Sequence, residues 1–140
     1  MPLGLGFSFA AGISADGSVV VGQYAPTINN SIVNVAFRWT AVTGAVSLGA
    51  LPMPQRTPFS SATGVSADGS VVVGFSSSFT SGQFEAFRWT PQSGMVGLGS
   101  IVGGGEKSAA YGVSGDVKVV VGEAAPVPGV EAIQADSPRA

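Results

Sequence analysis

An eleven-residue unit occurs three times in this chain, and few folds accommodate such a repetition. Gly64 to Gly74 reads Gly-Val-Ser-Ala-Asp-Gly-Ser-Val-Val-Val-Gly; Gly12 to Gly22 differs only in Ile13, and Gly112 to Gly122 is a more divergent copy. The copies start 52 and 48 residues apart, a period at which each repeat forms one supersecondary unit that stacks on its neighbours. Two further blocks keep step. Ala36-Phe37-Arg38-Trp39-Thr40 returns as Ala86-Phe87-Arg88-Trp89-Thr90, and Gly44 to Gly49 returns as Gly94 to Gly99.

Each repeat reads as four short strands, A to D. Strand A leads into Ser-Ala-Asp-Gly-Ser, and Asp-Gly between β-prone runs marks a hairpin because glycine takes the positive φ of the turn. Strand B carries three consecutive β-branched residues, such as Val71-Val72-Val73. Such a run, in place of an alternation, predicts burial of both sheet faces. Strand C is Phe87 to Thr90 and strand D is Met95 to Leu98. No segment combines helical periodicity with caps.

These strands predict an all-β fold of β-propeller-like, four-stranded blades, with a β-trefoil-like threefold fold as the alternative. The whole chain, 1–140, reads as one repeat domain. Residues 1–7 form strand D of a split blade, 8–59 repeat 1, 60–108 repeat 2, and 109–140 a degenerate repeat 3 lacking strand D. The split rests on two matches: Gly4-Leu5-Gly6 with Gly97-Leu98-Gly99, and Glu131-Ala132-Ile133-Gln134 with Glu85-Ala86-Phe87-Arg88. Three blades fall short of the usual four to eight. Self-association is therefore expected, either as a closed homo-oligomer or as an open filament built through the terminal strands.

Composition narrows the chemistry. Six basic against eight acidic residues give a net charge of −2, so there is no basic field for nucleic acid. Cysteine and histidine are absent, which removes thiolate and imidazole metal ligands, Cys nucleophiles and Ser-His triads. No apolar run reaches the ~18 residues of a membrane span, and Met1 to Phe7 lacks the regions of a signal peptide. No cofactor or metal is expected.

The Ala-Phe-Arg blocks, with the Ser-Ala-Asp-Gly-Ser-Val-Val-Val-Gly and Leu-Gly blocks, resemble the HAF repeat family of bacterial extracellular proteins. The match covers nearly the whole chain, with Val35 and Glu85 where the family often has His. The resemblance implies an extracellular or cell-surface location, often beside autotransporter barrels or carboxy-terminal sorting signals, and it carries no catalytic residues. The third repeat departs most, with Val117 replacing the turn glycine and Ile133 and Ala135 standing for Phe and Trp. Because a β-branched residue tolerates positive φ poorly, that turn is expected to differ, with Gly115 taking the strained position.

Several residues stand out as candidates. Asp16, Asp68 and Asp116, with Gly17 and Gly69, read as turn formers or as a ring of carboxylates for a cation. Phe37, Trp39, Phe87 and Trp89 read as core between blades or as a stacking platform for sugars. Arg38 and Arg88 face the opposite side of their strands, towards a turn Asp or solvent. Glu85 and Glu131 are the carboxylates available to a hydrolase, but equivalent repeat positions set them a blade apart. Gly103 to Ser108 departs from a phosphate loop at Glu106, and Asn29-Asn30-Ser31 fits a glycosylation sequon.

Loop lengths separate the two ends of the repeats. Asp to the last Gly of the unit is six residues in all three copies, and Phe to the strand D Gly is seven in both. The B to C spacing falls from 15 to 13 to 11, and the D to A spacing from 15 to 13. Variation therefore collects on one face, where binding loops diversify. The ligand-binding candidates there are Tyr24, Asn29, Asn30, Gln55, Arg56, Phe79 and Gln83. The expected function is non-enzymatic: an extracellular β-repeat module with a structural or binding role and a glycan or surface partner. A carbohydrate-binding propeller and a filament subunit are the alternatives.

Overall fold

The computed structural model describes residues 7–28, 31–52, 58–78, 84–99, 107–125 and 131–135. Every regular element among them is a strand. β1 (Ser8–Ile13), β2 (Val19–Tyr24), β5 (Val35–Thr40) and β6 (Gly44–Gly49) make the first sheet, in that spatial order. β7 (Ser60–Val65), β8 (Val72–Ser77), β9 (Phe84–Thr90) and β10 (Gly94–Gly97) make the second. β11 (Lys107–Val113), β12 (Val120–Ala125) and β13 (Glu131–Ala135) make the third. All neighbours are antiparallel. A small hairpin, β3 (Thr27–Ile28) with β4 (Ser31–Ile32), interrupts the loop between β2 and β5; the sequence gives no sign of it.

The recurring unit folds the same way each time because its glycines are placed by contact. The first strand of each of the three larger sheets carries a bulge, at Ala10/Gly12, Ala62/Gly64 and Ala110/Gly112. Each bulge turns a carbonyl onto the last glycine of the unit. A Cβ at Gly22, Gly74 or Gly122 would stand 1.8, 2.0 or 2.0 Å from the carbonyl oxygen of Phe9, Ser61 or Ala109. No side chain fits there.

The sheets pack face to face. One core between the first and second sheets holds Val19, Val21, Ala36 and Leu48 against Ala62, Val72 and Phe87, with Val65, Trp89 and Met95 at its margin. A second core sets Val71, Val73, Ala86 and Leu98 against Ala110 and Val120, with Val113 and Val117 packed on it. The valine run of the second sheet thus sends Val72 one way and Val71 and Val73 the other. All three are buried, as a strand covered on both faces requires.

The divergent third turn departs from expectation. It keeps the hydrogen bonds of the second, Val117 N–H to Ser114 O and Ser114 N–H to Val119 O matching Gly69 N–H to Ser66 O and Ser66 N–H to Val71 O. Val117 itself, not Gly115, adopts positive φ, at 60°. The ladder on either side and the packing of its side chain hold it there, at a backbone cost of about 1–3 kcal/mol.

Candidate functional site

At the turn end, each Asp is committed to its own turn. Asp68 Oδ1 accepts from Ser66 Oγ at 2.7 Å, Ser70 N–H at 3.0 Å and Ser70 Oγ at 2.7 Å. Asp16 accepts in the same way from Ser14 and Ser18, and Asp116 from Ser114 Oγ and Lys118 N–H. The donors hold all three carboxyls below the usual range: Ser66 foremost brings Asp68 to about 2, Ser18 foremost lowers Asp16, and Ser114 foremost lowers Asp116. The first Ser of each turn also accepts an N–H across it, as Ser66 Oγ does from Val71 at 3.0 Å. Among the described residues no three carboxylates gather into a metal-holding group.

Along the sheets, Phe37 and Phe87 are buried, and Trp39 and Trp89 are half-buried. Arg38 crosses from the first sheet to the second, donating through Nε and Nη2 to Gly69 O at 3.1 and 3.0 Å. Its guanidinium lies 5.8 Å from the Trp89 ring, within cation–π range. Neither arginine is described with a turn Asp as partner. Arg88 does not repeat the pattern; its Nε is buried without a hydrogen-bond partner among the described residues.

The loop end is chemically different. Phe59, before β7, Phe75 in β8 and Phe84 opening β9 form a three-ring cluster with centroids 5.2–5.8 Å apart. Phe84 is partly exposed. Tyr24 lies edge-on to Phe37 at 6.5 Å. The remaining loop candidates Asn29, Asn30, Gln55, Arg56, Phe79 and Gln83 lie outside the described residues. The phenylalanine cluster escapes sequence reasoning because its members lie before β7, in β8 and at the start of β9, and the equivalent positions of the first sheet hold Phe7, Gln23 and Asn34.

Beside that cluster Glu85 is buried. Its Oε1 accepts from Ser78 Oγ at 2.6 Å and its Oε2 from Gly99 N–H at 3.0 Å. Gly97 leaves the room, since a Cβ there would stand 2.1 Å from Glu85 Oε2. The first sheet satisfies the same amide in another way: Val35 replaces the Glu, and Ser47 Oγ accepts from Gly49 N–H at 3.1 Å. Two alternative residue pairs thus serve one backbone donor.

Serines also join one repeat to the next. Ser60 Oγ accepts from Ala36 N–H at 2.8 Å and donates to Gly49 O at 2.6 Å. Ser108 repeats this with Ala86 N–H at 2.8 Å and Gly99 O at 2.7 Å. The sequence carried a signal for this joint: Ser8, Ser60 and Ser108 each stand four residues before the first glycine of the unit.

Comparison with known proteins gives a fold and no family. No family model matches the chain, and no curated protein matches it. Among solved structures it is similar to TolB from Acinetobacter baumannii, a protein with a β-propeller domain, with a TM-score of 0.57 at 14% identity. The similarity covers 91% of this chain and 29% of TolB.

Proposed function

We propose that this chain is a non-enzymatic β-repeat module of bacterial extracellular or cell-surface proteins, a stack of propeller-type blades that presents its loop end for binding. The observation that carries the reading is the contrast between the ends. Constant turns, each closed on itself by an Asp, face loops of changing length that frame a partly exposed aromatic cluster. Four strands lying side by side in one sheet, with sheets stacked face to face, favour the blade over the trefoil. The extracellular assignment rests on the resemblance to HAF-type repeats.

The carboxylate best placed to be mistaken for a catalyst supports a structural role. Both oxygens of Glu85 are occupied by donors of its own sheet. Fractionation of the source bacterium tests the location. The protein is expected in the medium or the outer surface fraction, and a purely cytoplasmic pool would overturn the reading.

A second reading, carbohydrate binding, is favoured by Phe59, Phe75 and Phe84 alone. A glycan array is expected to give hits that Phe84→Ala weakens at least about tenfold, the scale of a lost stacking contact. An array without hits would retire it.

A further inference from the structure

Two donors of the second sheet lack the acceptors that their counterparts on the first sheet hold. Between those two sheets, Ala15 N–H donates to Ala67 O at 2.9 Å, and Arg38 donates through Nε and Nη2 to Gly69 O. Both acceptors belong to one turn. The equivalent donors on the second sheet are Ala67 N–H and Arg88, and the equivalent acceptors are the carbonyls of Gly115 and Val117 in the third turn. Neither bond forms. Among the described residues Ala67 N–H has no acceptor, and Arg88 Nε is buried without a partner.

Arg88 nonetheless faces the third sheet. It pairs across the ladder with Val73 as Arg38 pairs with Val21, and cross-strand partners project from the same side of a sheet. Val73 belongs to the core shared with Ala110 and Val120. The bonds are missing because of Val117. Gly69 lies so near the first sheet that a Cβ would stand 2.4 Å from Val19 Cγ2, and this approach brings its carbonyl to Arg38. The third turn carries a side chain at that position, packed on the core that includes Val71, the counterpart of Val19. It cannot come as close. Beside it is open space, since a Cβ on Gly115 would meet only Ala67 Cβ, at 3.8 Å, among the described residues. The carboxylates of both turns, Asp68 and Asp116, are held by donors of their own turns.

We propose that Arg88 and the Ala67 amide bind a small carboxylate in this gap. A buried cationic donor without a partner keeps its full desolvation cost, so an anion gains more there than on an exposed arginine. The parallel N–H groups along the Nε edge of a guanidinium match the two oxygens of a carboxylate. Ala67 is exposed, which gives the ligand its way in. The site lies at the turn end, away from the variable loops. Phe-Arg-Trp repeats unchanged in the first two sheets, so only residue 117 betrays the difference.

Acetate titration of the isotope-labelled 140-residue chain, with ionic strength held constant by chloride, reads the site through the Nε–H signals of its four arginines. The signal lost in Arg88→Lys and the Ala67 amide signal are expected to move together. Half-saturation should fall on the order of 10 mM, as suits a ligand of four non-hydrogen atoms. The signal lost in Arg38→Lys should stay in place. In Val117→Gly the Arg88 signal should stay in place too, because the carbonyl of residue 117 then takes its donors.

No saturable movement of Arg88 up to about 100 mM acetate overturns the proposal. Equal movement of Arg38 and Arg88, or the same movement with chloride alone, is a general salt effect and overturns it as well. Movement of Arg88 without Ala67 overturns the paired site, and binding undiminished in Val117→Gly overturns the part given to the third turn. Should Arg88→Lys fail to fold, the Ala67 amide carries the same reading in the unaltered chain.

Discussion

Gly17 and Gly69 share a backbone conformation, φ 76° and 78°, but not a neighbourhood. A Cβ at Gly17 would meet only Ile13 Cδ1 at 4.0 Å, whereas one at Gly69 would stand 2.4 Å from Val19 Cγ2. Gly17→Ala is therefore expected to cost about 1–2 kcal/mol, the left-handed backbone term alone. Gly69→Ala adds overpacking of about 1–3 kcal/mol. Chemical denaturation of the two variants compares them, and equal losses would mean that the turns of the first two sheets do not touch. Asp68 gives a pH-dependent prediction. Its carboxyl is lowered in the folded state from 3.8 to about 2, so its contribution is complete above 3.8 and disappears as pH falls through about 2. Asp68→Asn should melt below wild type at neutral pH, with the gap closing between about pH 4 and 2. A gap unchanged at pH 2 would indicate a steric role. The group is fully exposed, so added salt should narrow the difference as well.

Elements are legible in this sequence where one local signal determines them. Asp-Gly sets the first hairpin of the first two sheets, and three valines in a row announce a strand covered on both faces. Val117 escapes a reading from φ preference, because the hydrogen bonds of the turn, not the residue type, decide which position takes positive φ. The Glu85/Gly97 and Val35/Ser47 alternatives were not legible, since each pair is separated by twelve residues and meets only when the third and fourth strands lie side by side. This coupling can be measured directly. Gly97→Ser is expected to cost about 1–3 kcal/mol through crowding of the buried carboxylate. Glu85→Val on top of it should recover most of the loss by handing the Gly99 amide to the new serine. Additive losses in the double-mutant cycle would show that the two positions act independently.

For the whole molecule, burial is unequal. The second sheet is covered on both faces, whereas the first and third each turn a face outward that carries Ile13 or Val121. Local opening follows the number of buried contacts. Amide exchange should therefore be slowest in β8 and β9 at every protein concentration. Uniform exchange across the three sheets would show that the second sheet is no better covered than its neighbours. The overall architecture of stacked antiparallel sheets is legible from the repeat alone. The proposed role of the loop end is not, because the residues that would carry it sit where the three repeats differ.

The hydroxyl of Ser60, resting on the carbonyl of Gly49, has an evolutionary consequence. It fastens together the two ends of the segment between β6 and β7, so the chain leaves the sheet and returns to the same point whatever happens between. Lengthening a loop whose ends are already joined costs only chain entropy, about 0.6 kcal/mol per doubling. Insertions between Leu51 and Phe59, whose N–H groups are held by Ser76 and Ser77, can thus be accepted with little loss of stability. A loop doubled in length at its centre should melt within a few degrees of wild type. One recurring serine makes that segment the place where such a protein can acquire new partners without refashioning its sheets.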